Sequence, residues 1–218
     1  SLTSYSATPT ARSYAEVGAY LLGTNTTDFF DYETFQLEGN FRYRACKSYN
    51  TNRTCSSWGS WWSSALPKVT LYSTSNTGLT KRYKGPHVGS GFYFSDNTTK
   101  DANKYNSPSS LTQTDAQKKC SGQGIYVLTD GVPNFNSLAS SAMKNALGSK
   151  GSTFSCTDSD DGWDCTQKFN DALLNPGKNP KDIKFKTAVV GFGNAFNNVS
   201  SYDRSKTQKQ NLDALKEA

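Results

Sequence analysis

At residues 124–134 the chain reads Gly-Ile-Tyr-Val-Leu-Thr-Asp-Gly-Val-Pro-Asn. Four consecutive apolar or aromatic residues lie between a glycine and a group of turn-forming residues. Such a run predicts a strand at 125–129 that is buried on both faces, in a sheet covered by helices. Asp130 would lie at the carboxyl end of that strand, where open α/β sheets bind their ligands. On this run alone, the simpler role for Asp130 is to shape the turn or cap the next helix.

The start of the chain predicts a helix near Thr10–Leu22. Thr8 is suited to be its N-cap, Pro9 to take the first helical position, and Gly23 to end it. Small and apolar residues recur at helical spacing and would let the helix lie close on a sheet. They are Ala11, Tyr14, Ala15, Gly18, Ala19 and Leu22.

The second half of the chain alternates helices and strands. We expect a helix near 137–147, a helix over Trp163–Leu174 capped by Asp161, a strand at 184–191 and a helix near 207–216. This alternation argues for a parallel, doubly wound sheet.

Several segments together resemble a known family. A Thr-Pro pair that opens a helix rich in small residues, and a later strand that ends in Leu128-Thr129-Asp130-Gly131, together look like a von Willebrand factor A (vWA) domain. More narrowly, the chain resembles the PilC/PilY family of type IV pilus tip proteins. This resemblance rests on Ala7-Thr8-Pro9-Thr10-Ala11 with residues 14–20, on Cys120, on Gly162-Trp163-Asp164-Cys165 and on residues 187–193. It covers residues 1–23 and 120–193 and, loosely, the last helix.

The resemblance implies both a fold and a metal site. The fold is α/β, a doubly wound, mostly parallel, vWA-like sheet that lacks its first strand in this chain and carries a large irregular β-rich insertion at 24–119. The implied metal ligands are Thr8 and Asp130, whose oxygens suit Mg²⁺, Mn²⁺ or Ca²⁺. The family's Asp-x-Ser-x-Ser loop does not precede Thr8, and Asp203-Arg204-Ser205 is better interpreted as a loop with a helix cap. We therefore expect a partial metal site and a chain that is a fragment.

Residues 24–119 are crowded with aromatic side chains and contain few aliphatic ones. The stretches 68–72 and, in part, 90–94 alternate as strands do. Trp58, Trp61 and Trp62 are the best candidates for contact with a glycan or a protein, because Trp and Tyr dominate binding hot spots. The alternative is that these rings fill a core that is poor in aliphatic residues.

The five cysteines indicate an oxidising compartment. Cys46 with Cys55 and Cys156 with Cys165 would each close a short loop, while Cys120 is left over, which suggests a partner beyond this sequence.

The net charge of +6 is spread along the chain and no nucleic-acid motif accompanies it, so we expect no nucleic-acid partner. The sequence contains no apolar run long enough to span a membrane.

Two further groups of residues are candidates for metal binding or catalysis. The acidic stretch 158–164 lacks the ligand spacing of an EF-hand and is better interpreted as a solvated loop that caps a helix. His87 is the only histidine, and no nucleophile or paired-carboxylate signature accompanies it. An enzyme with its site in 24–119 would need Asp31, Glu33 or Glu38 close to His87.

The resemblance implies a non-enzymatic adhesion or assembly module at a type IV pilus tip, with a role in pilus biogenesis, twitching motility and attachment. The expected partners are a host-cell or surface receptor, either protein or glycan, and pilin or minor pilin subunits. The expected location is extracellular, on the outer-membrane-associated pilus tip. The alternative hypothesis is a secreted carbohydrate-binding protein or hydrolase with its site in 24–119. A third hypothesis is a purely structural pilus component.

Overall fold

The computed structural model describes residues 9–37, 40–52, 54–62, 72–77, 80–87, 90–111, 114, 123–129 and 133–191. The regular elements follow in chain order. They are α1 (Thr10–Leu22), β1 (Phe29–Leu37), β2 (Asn40–Tyr49), β3 (Cys55–Trp58), β4 (Tyr72–Thr77), β5 (Thr80–Pro86), α2 (Gly91–Phe94), β6 (Gln123–Thr129), α3 (Ala139–Ala146), α4 (Trp163–Leu174) and β7 (Phe185–Gly191).

The prediction of a doubly wound, mostly parallel, vWA-like sheet is wrong. The larger sheet has five strands in the order β3-β2-β1-β5-β4, and every pairing within it is antiparallel. A parallel pairing, between β6 and β7, forms a separate two-stranded sheet. Short turns can join antiparallel neighbours such as β1 and β2, whereas parallel strands need a long crossover such as the one that carries α3 and α4. The sequence pattern identified the crossover but not the hairpins.

The register of the antiparallel sheet sorts its side chains onto two faces. Glu33 of β1 lies opposite Arg44 of β2 and Arg82 of β5. Tyr32 points to the other side, because successive residues of a strand alternate between faces. We call the side that carries Glu33, Arg44 and Arg82 the arginine face, and the side that carries Tyr32 and Tyr43 the tyrosine face.

Helix α1 is confirmed, with the buried face that the sequence predicted. It packs against α3 and α4. Gly18 permits this approach, since a Cβ there would lie 2.6 Å from Cζ of Phe169. Gly23 ends the helix with φ at 68°, as expected. Pro9 is the N-cap residue rather than the first helical residue.

Asn136 supplies the cap that α1 lacks locally. Its Oδ1 accepts a hydrogen bond from the backbone N–H of Ala11 at 2.8 Å, and its Nδ2 donates to the carbonyls of Asp160 and Asp161. The side chain is fully buried. The amide of Asn136, which lies 125 positions after Ala11 in the sequence, therefore joins the beginning of α1 to the turn that precedes α4. No local pattern predicted this cap.

Residues 90–111 join the same hydrophobic core as α1, through Phe92, Tyr105 and Leu111. A polar contact reinforces this packing. Glu16 of α1 accepts hydrogen bonds from the hydroxyls of Thr26, at 2.5 Å, and of Tyr105. Burial raises the pKa of Glu16 above its ordinary value, and the Thr26 hydroxyl and the Lys100 and Arg12 charges offset part of this shift.

The other secondary-structure predictions have mixed outcomes. Helix α4 occupies the predicted Trp163–Leu174, but its N-cap residue is Gly162 rather than the predicted Asp161, whose Oδ1 accepts from the backbone N–H of Trp163 at 3.2 Å. The predicted strand-like segment at 90–94 is wrong, because α2 occupies it. Strand β6 is present but is not buried on both faces, since Tyr126 is 65% exposed and Leu128 63% exposed.

Several predictions lie outside the described residues. They concern Thr8, Cys120, Asp130, Asp203 to Ser205, the helix near 207–216 and all but the last residue of the stretch 68–72. In the part of the chain that the structure describes, no helix is both long and apolar enough to cross a membrane.

Candidate binding surface

Glu33 is the centre of the arginine face. Nε and Nη2 of Arg44 both donate to Glu33 Oε2, at 2.9 and 2.5 Å, and Nε of Arg82 donates to Oε1 at 2.9 Å. The Glu33 side chain is only 5% exposed, whereas the Arg44 and Arg82 side chains are 27% and 49% exposed. Three charge-assisted hydrogen bonds satisfy both oxygens of the buried carboxylate. The carboxylate therefore holds two guanidinium groups side by side at the surface.

Two indole rings stack on these guanidinium groups. Cζ of Arg44 lies 4.5 Å from the ring centroid of Trp61 and 5.1 Å from that of Trp58, and Cζ of Arg82 lies 5.6 Å from the Trp58 centroid. These are cation–π distances. The result is an alternating stack, in the order Arg82, Trp58, Arg44 and Trp61, which we call the Trp–Arg stack.

The disulfide and the β2–β3 hairpin place Trp58 in the stack. Trp58 lies opposite Cys46 in the register of the two strands, and Cys46 is bonded to Cys55 at the start of β3. The predicted Cys46–Cys55 bond is thus confirmed. Because β3 has only four residues, this covalent link helps to fix the position of its last side chain.

Trp62 lies on the opposite side of the sheet from its neighbour Trp61. The backbones of Trp62 and Tyr43 exchange two hydrogen bonds, and their ring centroids are 5.3 Å apart on the tyrosine face. The three tryptophans that the sequence grouped together are therefore divided. Trp58 and Trp61 share one surface, and Trp62 belongs to the other.

The arginine face carries more positive than negative charge. In the registers of β1, β2 and β5, the described charged residues on this face are Arg42, Arg44, Arg82 and Lys84 against Asp31 and Glu33. Arg42, Arg82 and Lys84 are exposed, whereas Glu33 is buried beneath the two arginines. Arg42 is the cross-strand neighbour of Phe35, whose ring lies 6.1 Å from that of Trp61. Exposed cations thus flank the aromatic stack.

Sequence reasoning found the tryptophans of this surface but not its arginines. Their positions depend on a cross-strand register that joins residues 33, 44 and 82. The available signal was the alternation of charged and aromatic residues along 29–35 and 41–45, which is typical of a strand with two different faces.

The structure does not bring together the described residues that an enzyme in 24–119 would need. Glu33 is engaged by two arginines. The ring of His87 lies 4.8 Å from that of Phe30, which alternation places on the face opposite Asp31 and Glu33. Glu38 lies outside the described residues.

A cavity of about 390 Å³ lies at the carboxyl ends of β6 and β7. It is lined by Tyr14, Val127, Trp163, Thr187 and Val189, among others. Thr10 and Thr129, the sequence neighbours of Pro9 and Asp130, also line it. The predicted metal ligands Thr8 and Asp130 themselves lie outside the described residues, so their convergence stays a prediction.

The described residues do not complete a metal site at any point. They contain no group of three or more His, Cys, Asp or Glu side chains that could hold an ion. One hydroxyl and one carboxylate would supply two of the roughly six ligands that these cations take.

The acidic loop 158–164 is used for local structure. Asp161 accepts from the Ser159 hydroxyl and the Trp163 N–H, and these hydrogen bonds lower its pKa. Asp164 accepts from the Thr157 N–H and from Lys168, which lower its pKa in the same way. The predicted Cys156–Cys165 bond closes this loop. These contacts agree with the interpretation of a helix-capping loop.

Comparison with known proteins finds no matching protein family, no matching curated protein and no matching solved structure.

Proposed function

We propose that this chain is a non-enzymatic adhesion module that acts outside the cytoplasm and binds its ligand through the arginine face. The Trp–Arg stack is the observation that carries this proposal. It presents two indoles and two guanidiniums in one surface, and Trp and Arg are the residues most enriched at binding hot spots.

The preorganisation of the stack supports a binding role. Side chains that are already held in place lose less conformational entropy when a ligand binds. Arg44 is held by Glu33 and by two rings, and Trp58 is held by the disulfide-linked hairpin. The surface can therefore engage a partner with little rearrangement.

The two disulfides support a location in an oxidising compartment. The narrower proposal, a type IV pilus tip component that binds a host-cell or surface receptor and contacts pilin or minor pilin subunits, rests on the sequence resemblance alone. It does not require the vWA-like sheet, which is absent from the described residues. A metal-dependent mode of adhesion through Thr8 and Asp130 would be additional to the arginine face.

Attachment of protein-coated beads to cultured epithelial cells tests the proposal. Trp61→Ala should lower the number of attached beads at least about threefold relative to wild type, because it removes an exposed hot-spot ring. Trp62→Ala is the matched control, since Trp62 is the adjacent residue, is similarly exposed (45% against 38%) and lies on the tyrosine face. Equal loss in both variants, or no loss in either, would contradict an adhesive role for the arginine face.

A further inference from the structure

We infer that the ligand of the arginine face is an acidic polysaccharide, whose sugar rings stack on Trp61 and whose carboxylate or sulfate groups pair with Arg42, Arg82 and Lys84. This inference rests on the proposed function and specifies its ligand.

The aromatic part of the surface suits a sugar ring. Trp61 is 38% exposed; the Arg44 guanidinium lies over its ring, and the Phe35 ring lies 6.1 Å away, tilted by 58°. A flat, immobilised indole can offer its free surface to the apolar C–H face of a pyranose with little entropic cost. Trp58 lies between Arg44 and Arg82 in the stack, so its ring supports both guanidinium groups beside the exposed Trp61 ring.

The charged part of the surface selects an anion. Glu33 uses one N–H of Arg82, and this side chain, 49% exposed, retains both of its terminal NH₂ groups for a ligand. The Arg42 and Lys84 side chains are exposed, and neither side chain forms a hydrogen bond or an ion pair with another described residue. Guanidinium groups bind carboxylates and sulfates through paired N–H donors. A neutral glycan would leave Arg42 without a counter-charge and would give the free NH₂ groups of Arg82 no anionic partner.

The arrangement favours a polysaccharide over an acidic peptide. The cations flank the aromatic stack on a single sheet face, so a ligand that satisfies both must present apolar rings and anionic groups in alternation. A polymer of uronic acid has that pattern in every residue. A run of acidic side chains offers charge without the stacking surface.

Titration calorimetry with three probes tests the inference. The probes are polygalacturonate, neutral dextran and poly-L-glutamate, each added to the full chain. We expect polygalacturonate to bind, with an affinity that falls as NaCl rises because the ion pairs are exposed to solvent. We expect dextran not to bind, and poly-L-glutamate to bind at least about tenfold more weakly, since it lacks the stacking contribution.

Two matched pairs of variants test whether binding depends on the arginine face itself or only on the overall change in charge or aromatic content. Arg42→Gln and Lys81→Gln lower the net charge equally, but Lys81 lies on the tyrosine face. Trp61→Ala and Trp62→Ala form the second pair. We expect Arg42→Gln to weaken polygalacturonate binding several-fold and Trp61→Ala to weaken it at least about tenfold, with the two controls within twofold of wild type. Circular dichroism of each variant checks that the fold is retained.

The outcomes distinguish this inference from the proposed function. Absence of polygalacturonate binding, or equal binding of polygalacturonate and poly-L-glutamate, would overturn the acidic-polysaccharide inference. Salt-independent dextran binding would overturn it as well. If cell attachment still depended on Trp61 but not on Trp62, the adhesive role of the arginine face would stand without it. Equal effects of the two members of either pair would overturn the assignment of the ligand to this face.

Discussion

At the scale of single residues, Gly162 occupies a position that only glycine suits. Its φ is 67°, and a Cβ would lie 2.6 Å from Cβ of Ala11 and 2.8 Å from Cβ of Asn136. Both the left-handed backbone and the close packing around Asn136 therefore exclude a side chain. This turn holds the beginnings of α1 and α4 together.

Gly162→Ala should lower the free energy of unfolding by about 2–4 kcal/mol, from backbone strain combined with overpacking. Gly177→Ala is the control, because a Cβ there would make only an ordinary contact, 3.5 Å from Asn175 Oδ1. Urea denaturation measures both variants. A Gly162→Ala protein as stable as Gly177→Ala would show that the described turn is incorrect.

Glu16 gives a prediction about pH. Burial raises its folded-state pKa above the ordinary value of 4.5, so the folded state favours the protonated carboxyl. The stability that this adds is fully present below the ordinary pKa and is lost as pH rises through the folded-state pKa. Wild type should therefore gain stability relative to Glu16→Gln as pH falls from 7 to 4.

Thermal unfolding of wild type and Glu16→Gln across that range checks the sign. The glutamine keeps one acceptor oxygen for the Tyr105 or Thr26 hydroxyl and replaces the other by an NH₂ group, a change that is independent of pH. The pH dependence of the difference therefore reports the titration of Glu16. Two melting-temperature profiles that stay parallel from pH 7 to pH 4 would show that Glu16 is not desolvated in the folded protein.

At the scale of elements, the Trp–Arg stack couples β2 to the segment that follows β3. A double-mutant cycle between Arg44→Ala and Trp61→Ala should give a coupling energy of about 0.5–1 kcal/mol, the usual size for a partly exposed cation–π contact. The same cycle between Arg44→Ala and Trp62→Ala should give a value near zero, because Trp62 packs on Tyr43 instead. A coupling energy that is equal for both tryptophans would contradict the division of the two faces.

The sequence predicted some elements well because their signals are local. The N-terminal helix, with its small-residue face and glycine stop, needs only residues within one or two turns of one another. The same holds for α4 and for the two disulfides, each of which joins cysteines nine positions apart.

Other elements were missed because long-range contacts decide them. The apolar run at 125–128 predicts burial on both faces, but the described residues cover Ile125 and leave Tyr126 and Leu128 exposed. In the same way, no local signal could have indicated that Arg82 and Arg44, 38 positions apart, would share one carboxylate. The tryptophans of the candidate site could be predicted, but their separation onto two faces could not.

At the scale of the whole molecule, the two disulfides should differ in their effect on function. Replacing Cys46 and Cys55 by serine, or Cys156 and Cys165 by serine, should lower the free energy of unfolding by about 2–3 kcal/mol in each case, since both bonds close loops of similar length. Only the first change should weaken polygalacturonate binding, because Cys46–Cys55 positions Trp58.

Denaturation and calorimetry on the two double variants measure these effects, under conditions in which both remain folded. Weaker binding in the Cys156/Cys165 variant alone would indicate that the ligand binds at the cavity beside α4 rather than at the arginine face.

The antiparallel sheet is the largest difference between prediction and structure, and it is also where the candidate site lies. The helices and parallel strands of the second half indicated an α/β protein, and β6 and β7 do pair in parallel. The aromatic segment 24–119 was expected to be β-rich but irregular, and its described residues form five paired strands in one ordered sheet. Its strands alternate aromatic and charged residues rather than apolar and polar ones, so the usual period-two signal was weak.

The four indole N–H signals of the protein provide the most direct test of the central claim. Two of them, from Trp58 and Trp61, report the arginine face; Trp62 reports the tyrosine face, and Trp163 reports the cavity at the ends of β6 and β7. In a ¹H–¹⁵N NMR titration with polygalacturonate, we predict that the Trp61 and Trp58 signals shift while those of Trp62 and Trp163 stay in place. A shift confined to Trp163 or Trp62, with Trp61 unmoved at saturating ligand, would contradict the assignment of ligand binding to the Trp–Arg stack.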